Sequence, residues 1–124
     1  MAQQRFPDLS QATGRRYSGG VHVQVDDGVV MITVVGAMDR ATTAQFGAEI
    51  LDVCRVCVGE LVVDLSACTS LSHAGLWLLG EARRRCEGGR CHLWITAVRP
   101  EIVDMLVGAG LVTERAIGYS VGLR

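Results

Sequence analysis

The chain has no lysine. All 12 of its Lys-plus-Arg residues are arginine, so a G-x-x-x-x-G-K-[ST] phosphate loop, and the nucleotide hydrolysis it serves, is excluded. There is no G-x-S-x-G nucleophile elbow either, because Ser66, Ser70 and Ser72 lack that glycine frame. An excess of either charge is also missing. The net charge is −1 and the sequence pI about 6.3, so no global field draws the protein to nucleic acid or to an anionic membrane. No apolar run is long enough to span a bilayer: the longest without charge, Gly28 to Met38, is bounded by Asp27 and Asp39 and falls well short of the roughly 20 residues required. The opening stretch MAQQRFPDLSQATGRRYSGG lacks the apolar core of a secretory signal. A loose tail over 1–20, a single domain over 21–124 and a cytoplasmic location are the expectations.

What remains is rich in apolar side chains. Of 124 residues, 49% are hydrophobic and 20% charged, with a mean hydropathy of +0.30, which supplies a real core and rules out a disordered chain. The 5 cysteines, Cys54, Cys57, Cys68, Cys86 and Cys91, are an odd number in a chain without an export signal, so reduced thiols are expected. Cys54 and Cys57 form C-x-x-C inside EILDVCRVCV, a stretch with helical periodicity. They can be packing thiols, redox sensors or metal ligands. A second C-x-x-C at zinc-site spacing is absent.

The patterning gives an order of elements. VHVQV and VVMITVVG, separated by DDG, read as a hairpin closed by an Asp-Gly turn. ATTAQFGAEILDVC places Ala44, Phe46, Ile50, Leu51 and Cys54 on one helical face, with Thr42 or Thr43 available as cap. ELVVDLS reads as a central strand buried on both faces. AGLWLLGEARRRCE follows as a helix whose arginines suit its C-terminal end, and Gly88 and Gly89 stop it. RCHLWITAV is a further strand, and Pro100 opens a third helix in PEIVDMLVGAG, ended by Gly108 and Gly110. A short strand around Ala116 to Tyr119 completes the reading. The order ββαβαβα predicts an α/β fold with a small mixed, mostly parallel sheet covered by helices on at least one face.

No catalytic constellation assembles from these parts. His22 and His92 fall in strands and read as structural, and the acidic residues are scattered apart from Asp26 and Asp27 in a turn. Two loops at the carboxyl ends of strands remain, the usual address of function in open α/β sheets. They are GAMDRAT and SACTSLSHAG. In the second, Ser72 can cap the following helix, or the helix entrance can form a docking face where an added phosphate would bring about −1.5 to −2 charges.

Three segments, in order, resemble a known family. LVVDLSACTSLSHAGLWLL is similar to the LDLSxVxFIDSSGLxxL segment of STAS domains, the anti-sigma factor antagonists. GAMDRATTAQF resembles their GELDxxTAxxL, and GGRCHLWITAVRPEIVDMLVGAGL their GGxLxLxxxSPxVxxxLxxxGL. The resemblance runs from about Val21 to Leu111. It implies a small sheet with helices mainly on one face and a function in binding rather than turnover, with no cofactor and no metal. It also implies a partner, an anti-sigma factor that is often a serine kinase of the ATP-binding type, whose capture frees a sigma factor until a serine at the helix start is phosphorylated.

Transferred position by position, the GELD aspartate falls on Asp39 and the DSSG glycine on Gly75. The DSSG aspartate falls on Ser72, its first serine on His73, and its phosphate-accepting serine on Ala74, while Ala37 replaces the GELD glutamate. An alanine methyl cannot accept phosphate, so the implied module is either a constitutively active antagonist or a domain that has lost kinase coupling and binds something else. Ser72, and behind it Ser70 or Thr69, are the relocated acceptors to consider. The implied partner-binding set is Asp39, Ser72, His73, Ala74, Gly75 and Trp77, where Trp77 is either an interface anchor or a core residue. A homodimer is compatible with this reading. Two alternatives stay open: a sensor regulated by cysteine redox state or a small ligand, and a STAS subunit of a transport or lipid-handling assembly.

Overall fold

The computed structural model describes residues 15–18, 20–112 and 120–122. The Asp-Gly turn forms where the sequence predicts it. Strands β2 (Val21–Asp26) and β3 (Val29–Val34) pair antiparallel across two residues, with φ of 50° at Asp27 and 84° at Gly28. Positive φ at both positions is the signature of a type I′ turn, whose twist matches that of the strands it joins.

Beyond β3 come β4 (Gly36–Ala37), α1 (Arg40–Val56), β5 (Gly59–Asp64), β6 (Cys68–Ser70), α2 (His73–Glu87), β7 (Cys91–Thr96) and α3 (Pro100–Gly108). The main sheet has the order β1-β2-β3-β5-β7-β8, with β1 (Arg15–Ser18) and β8 (Ser120–Gly122) as its edges. Its centre, β3, β5 and β7, is parallel because a helix returns the chain between each pair. The flanking pairs β1–β2, β2–β3 and β7–β8 are antiparallel. The fold is thus the expected mixed α/β arrangement, with three helices among the described residues. Strand β1 takes four residues from the stretch read as a tail; residues 1–14 and 19 lie outside the described residues, as do Ala116 to Tyr119.

Three expectations need correction. Strand β5 is buried on one face only: Leu61, Val63 and Leu65 are buried, whereas Glu60, Val62 and Asp64 on the opposite face are half-buried. The same alternation runs through β2, β3 and β7. The buried rows and the buried faces of all three helices form one core cluster, so Val62 merely gave a one-sided strand the look of a continuous apolar run. In α1, the buried face is Phe46, Gly47, Ile50 and Val53, with Leu51 and Cys54 partly buried against the core. Ala44 is exposed, since two residues along a helix is more than half a turn from Phe46. The cap is Asp39, whose carboxylate accepts from Thr42 N–H at 2.8 Å, rather than Thr42 or Thr43.

The other helix ends follow their sequence signals. Ser72 caps α2, Arg84 and Arg85 occupy its last turn, and Gly88 is its C-cap. Pro100 stands in the first turn of α3, where its missing N–H costs nothing. Phe46 is the largest of the fully buried side chains. Phe46→Ala is therefore expected to lower unfolding stability by about 3–5 kcal/mol; chemical denaturation should show a lower midpoint at unchanged slope.

Candidate functional site

The two loops singled out by the sequence meet at the carboxyl edge of the parallel strands. Gly36–Ala37 and Cys68–Ser70 form a separate two-stranded parallel ladder. Gly36 N–H donates to Ala67 C=O at 3.0 Å and Met38 N–H to Ser70 C=O at 3.0 Å. This ladder sits directly before both helix starts, so Asp39 and Ser72 cap neighbouring helices from neighbouring strands. Behind it, Asp64 holds the β5–β6 loop in shape, its Oδ1 accepting from Ser66 N–H at 3.0 Å, Ser66 Oγ at 2.5 Å and Thr96 Oγ1 at 2.7 Å. Sequence reading passed over Asp64, although an aspartate two residues before a serine at a strand end is a recognisable turn signal.

Ser72 is engaged on two sides. Its Oγ accepts the Gly75 N–H at 2.9 Å, the N-cap bond, and lies 2.9 Å from Thr43 Oγ1 in α1. Thr43 Oγ1 in turn donates to Met38 C=O at 3.4 Å. One hydroxyl therefore joins the two helix starts to each other. The sequence offers Thr43 only as a cap of its own helix; its contact with Ser72 spans 29 residues, which no local signal announces.

The remaining residues of the set divide by exposure. Asp39, His73 and Ala74 are exposed, Ser72 is half-buried and Gly75 is buried. Trp77 is 61% exposed, which settles its place at the surface rather than in the core. A Cβ on Gly75 would overlap the Met38 sulfur and press on Ser72 Oγ and Leu71, so this glycine shapes the face by letting α2 approach Met38. The exposed part is thus a shallow surface of Asp39, His73, Ala74 and Trp77 around the paired helix entrances.

Electrostatically the edge is mild. The Thr42 N–H holds the Asp39 carboxyl below its usual range. Burial pushes Asp64 upward, but the Ser66 and Thr96 hydrogen bonds outweigh it and leave Asp64 lowered as well. Both carboxylates therefore release protons on folding, so their stabilisation is present above the ordinary carboxylate range and is lost as pH falls through the lowered values. An acid titration of the unfolding midpoint should show this loss, and Asp64→Asn should flatten it; an unchanged pH slope would refute the assignment. Gly75→Ala should destabilise by about 1–3 kcal/mol through overpacking, and Met38→Ala in the same chain should recover part of that loss.

Comparison with known proteins agrees with this geometry. Residues 21–117 match the family described as Mlab, STAS domain. No curated protein sequence matches the chain. Among solved structures, an anti-sigma factor antagonist from Mycobacterium paratuberculosis is similar, with 26% identity and a TM-score of 0.65 over 73% of this chain and 77% of that one. The Bacillus cell fate determinant SpoIIAA in its phosphorylated form shares the fold at 15% identity and a TM-score of 0.58, over 73% and 84% of the respective chains. The anti-sigma factor antagonist SpoIIAA in its unphosphorylated form does so at 19% identity and 0.50, over 59% and 70%. With the family match spanning most of its length and the fold in agreement, this chain belongs to the STAS domain family and is similar to anti-sigma factor antagonists.

Proposed function

We propose that this STAS domain is a regulatory binding module that captures an anti-sigma factor, a serine kinase of the ATP-binding type, and so frees a sigma factor. The observation that carries the proposal is the edge where two capped helix starts present Asp39, His73, Ala74 and Trp77 together. Exposed tryptophan is among the residues that most often dominate a protein interface. The similar antagonist from Mycobacterium paratuberculosis supports the class of partner, and the phosphorylated form of SpoIIAA supports the use of phosphate as a switch in this fold.

The switch differs in this chain. Ala74, the second residue of α2, is exposed and has no hydroxyl, so the module stays in its binding-competent state. Ser72 is a poor substitute as acceptor. Phosphate on its oxygen would compete with the Gly75 cap bond and the Thr43 contact, and loss of such a cap costs about 1 kcal/mol. A second reading, a STAS subunit of a transport or lipid-handling assembly, draws on the same missing hydroxyl, because a partner that never phosphorylates the domain needs no acceptor.

Calorimetric titration of the protein with anti-sigma kinases from its own genome tests the proposal. Binding is expected at micromolar concentration or tighter and to be indifferent to ATP. Trp77→Ala should weaken it at least tenfold, about 1.4 kcal/mol, while leaving the unfolding midpoint near that of the parent. Ala74→Ser should make binding sensitive to kinase and ATP together. If no such kinase binds, the antagonist reading fails, and co-purification with a transporter subunit would favour the second.

A further inference from the structure

At the opposite, amino-terminal edge of the parallel strands, four cysteines from three elements converge. Cys54 and Cys57 come from the end of α1, Cys86 from the last turns of α2, and Cys91 from the start of β7. Cys91 Sγ lies 3.1 Å from Cys57 Sγ. Cys86 neighbours both Cys91 and Cys54. The contacts thus run in a chain, Cys54 to Cys86 to Cys91 to Cys57. Among the described residues no group of three or more His, Cys, Asp or Glu is arranged to hold a metal ion.

A cavity of about 400 Å³ opens onto the cluster, lined among others by Arg83, Cys86, Arg90, Cys91 and His92. Cys86 and Cys91 are each only 6% exposed, so the opening suits a small reagent better than a bulky one. The four thiols are not equivalent. The contacts with Cys54 and Cys91 lower the Cys86 thiol, while the contacts with Cys57 and Cys86 raise Cys91 and the contact with Cys86 raises Cys54. Cys86, the lowered thiol, lines the cavity, and the thiolate is the reactive form.

We propose that this cavity is a peroxide-reactive site in which Cys86 is oxidised first and Cys91 closes a disulfide with it. The Cys86 thiolate attacks one oxygen of a hydroperoxide: an S–O bond forms, the O–O bond breaks, and the departing hydroxide combines with the proton that Cys86 released. Cys91 then attacks the Cys86 sulfur. An S–S bond forms, the S–O bond breaks, and the Cys91 proton leaves with the hydroxide as a second water. Two thiols and one hydrogen peroxide give one disulfide and two waters. Cys57, next to Cys91, can take over that bond by thiol–disulfide exchange, which involves no further oxidation.

The test is to treat the purified reduced protein with a slight molar excess of hydrogen peroxide, count thiols and map disulfides by mass spectrometry, with dimedone present in a parallel sample. The expected result is loss of two of the five thiols within a monomer, a bond that includes Cys91, and dimedone label on Cys86. Cys91→Ser should leave Cys86 as a persistent, dimedone-reactive sulfenic acid. Retention of all five thiols, a bond lacking Cys91, a bond between two chains, or label on cysteines other than Cys86 would each overturn the proposal. The mapping of the unsubstituted protein decides the matter even if Cys91→Ser does not fold.

Discussion

The backbone bonds from Gly36 to Ala67 and from Met38 to Ser70 fix the starts of two helices at once. Neither strand of that ladder is long enough to be stable alone, and each is held because the chain before it is anchored in the main sheet. Once the ladder is set, Asp39 and Ser72 fall at the caps of α1 and α2, and Thr43 and Ser72 come within hydrogen-bond distance. Gly75 then allows α2 to close over Met38. The exposed residues of the edge inherit their positions from this buried arrangement, which is why a surface of short side chains can have a defined shape.

Much of the scaffold was legible in the sequence because it rests on local rules. The Asp-Gly turn, the proline at the start of α3, the arginines at the end of α2 and the alternation of Leu93, Trp94 and Ile95 each act within a few residues. The three family-like segments pointed to the edge where Asp39, Ser72 and Ala74 lie. What escaped was non-local. Strands β4 and β6 exist only through each other, and the hydroxyl pair of Thr43 and Ser72 spans two helices. The one-sided burial of β5 depends on where the helices lie, which Val62 alone does not reveal. Likewise C-x-x-C was visible as a motif, but nothing in its spacing announced Cys86 and Cys91 as neighbours.

Parallel strands give the domain a polarity. Their carboxyl edge carries the caps and the exposed residues around them, and their amino edge carries the thiols. Helices α1 and α2 run from one edge to the other, at 17 and 15 residues. Each therefore begins at the capped edge and ends at the cysteine edge, and the core cluster lies between. Packing at that density transmits small displacements rather than absorbing them, so the two edges are mechanically joined although they share no residue.

The chain's two tryptophans divide along the same lines. Trp77 is exposed near the start of α2, whereas Trp94 is half-buried in β7, its indole N–H donating to Glu60. Their fluorescence is thus sorted by location, one emitter in water at the contact surface and one held against a carboxylate in the scaffold. A partner that covers the edge shifts the emission of the first towards the blue and leaves the second as an internal reference, so the domain carries its own optical readout of engagement.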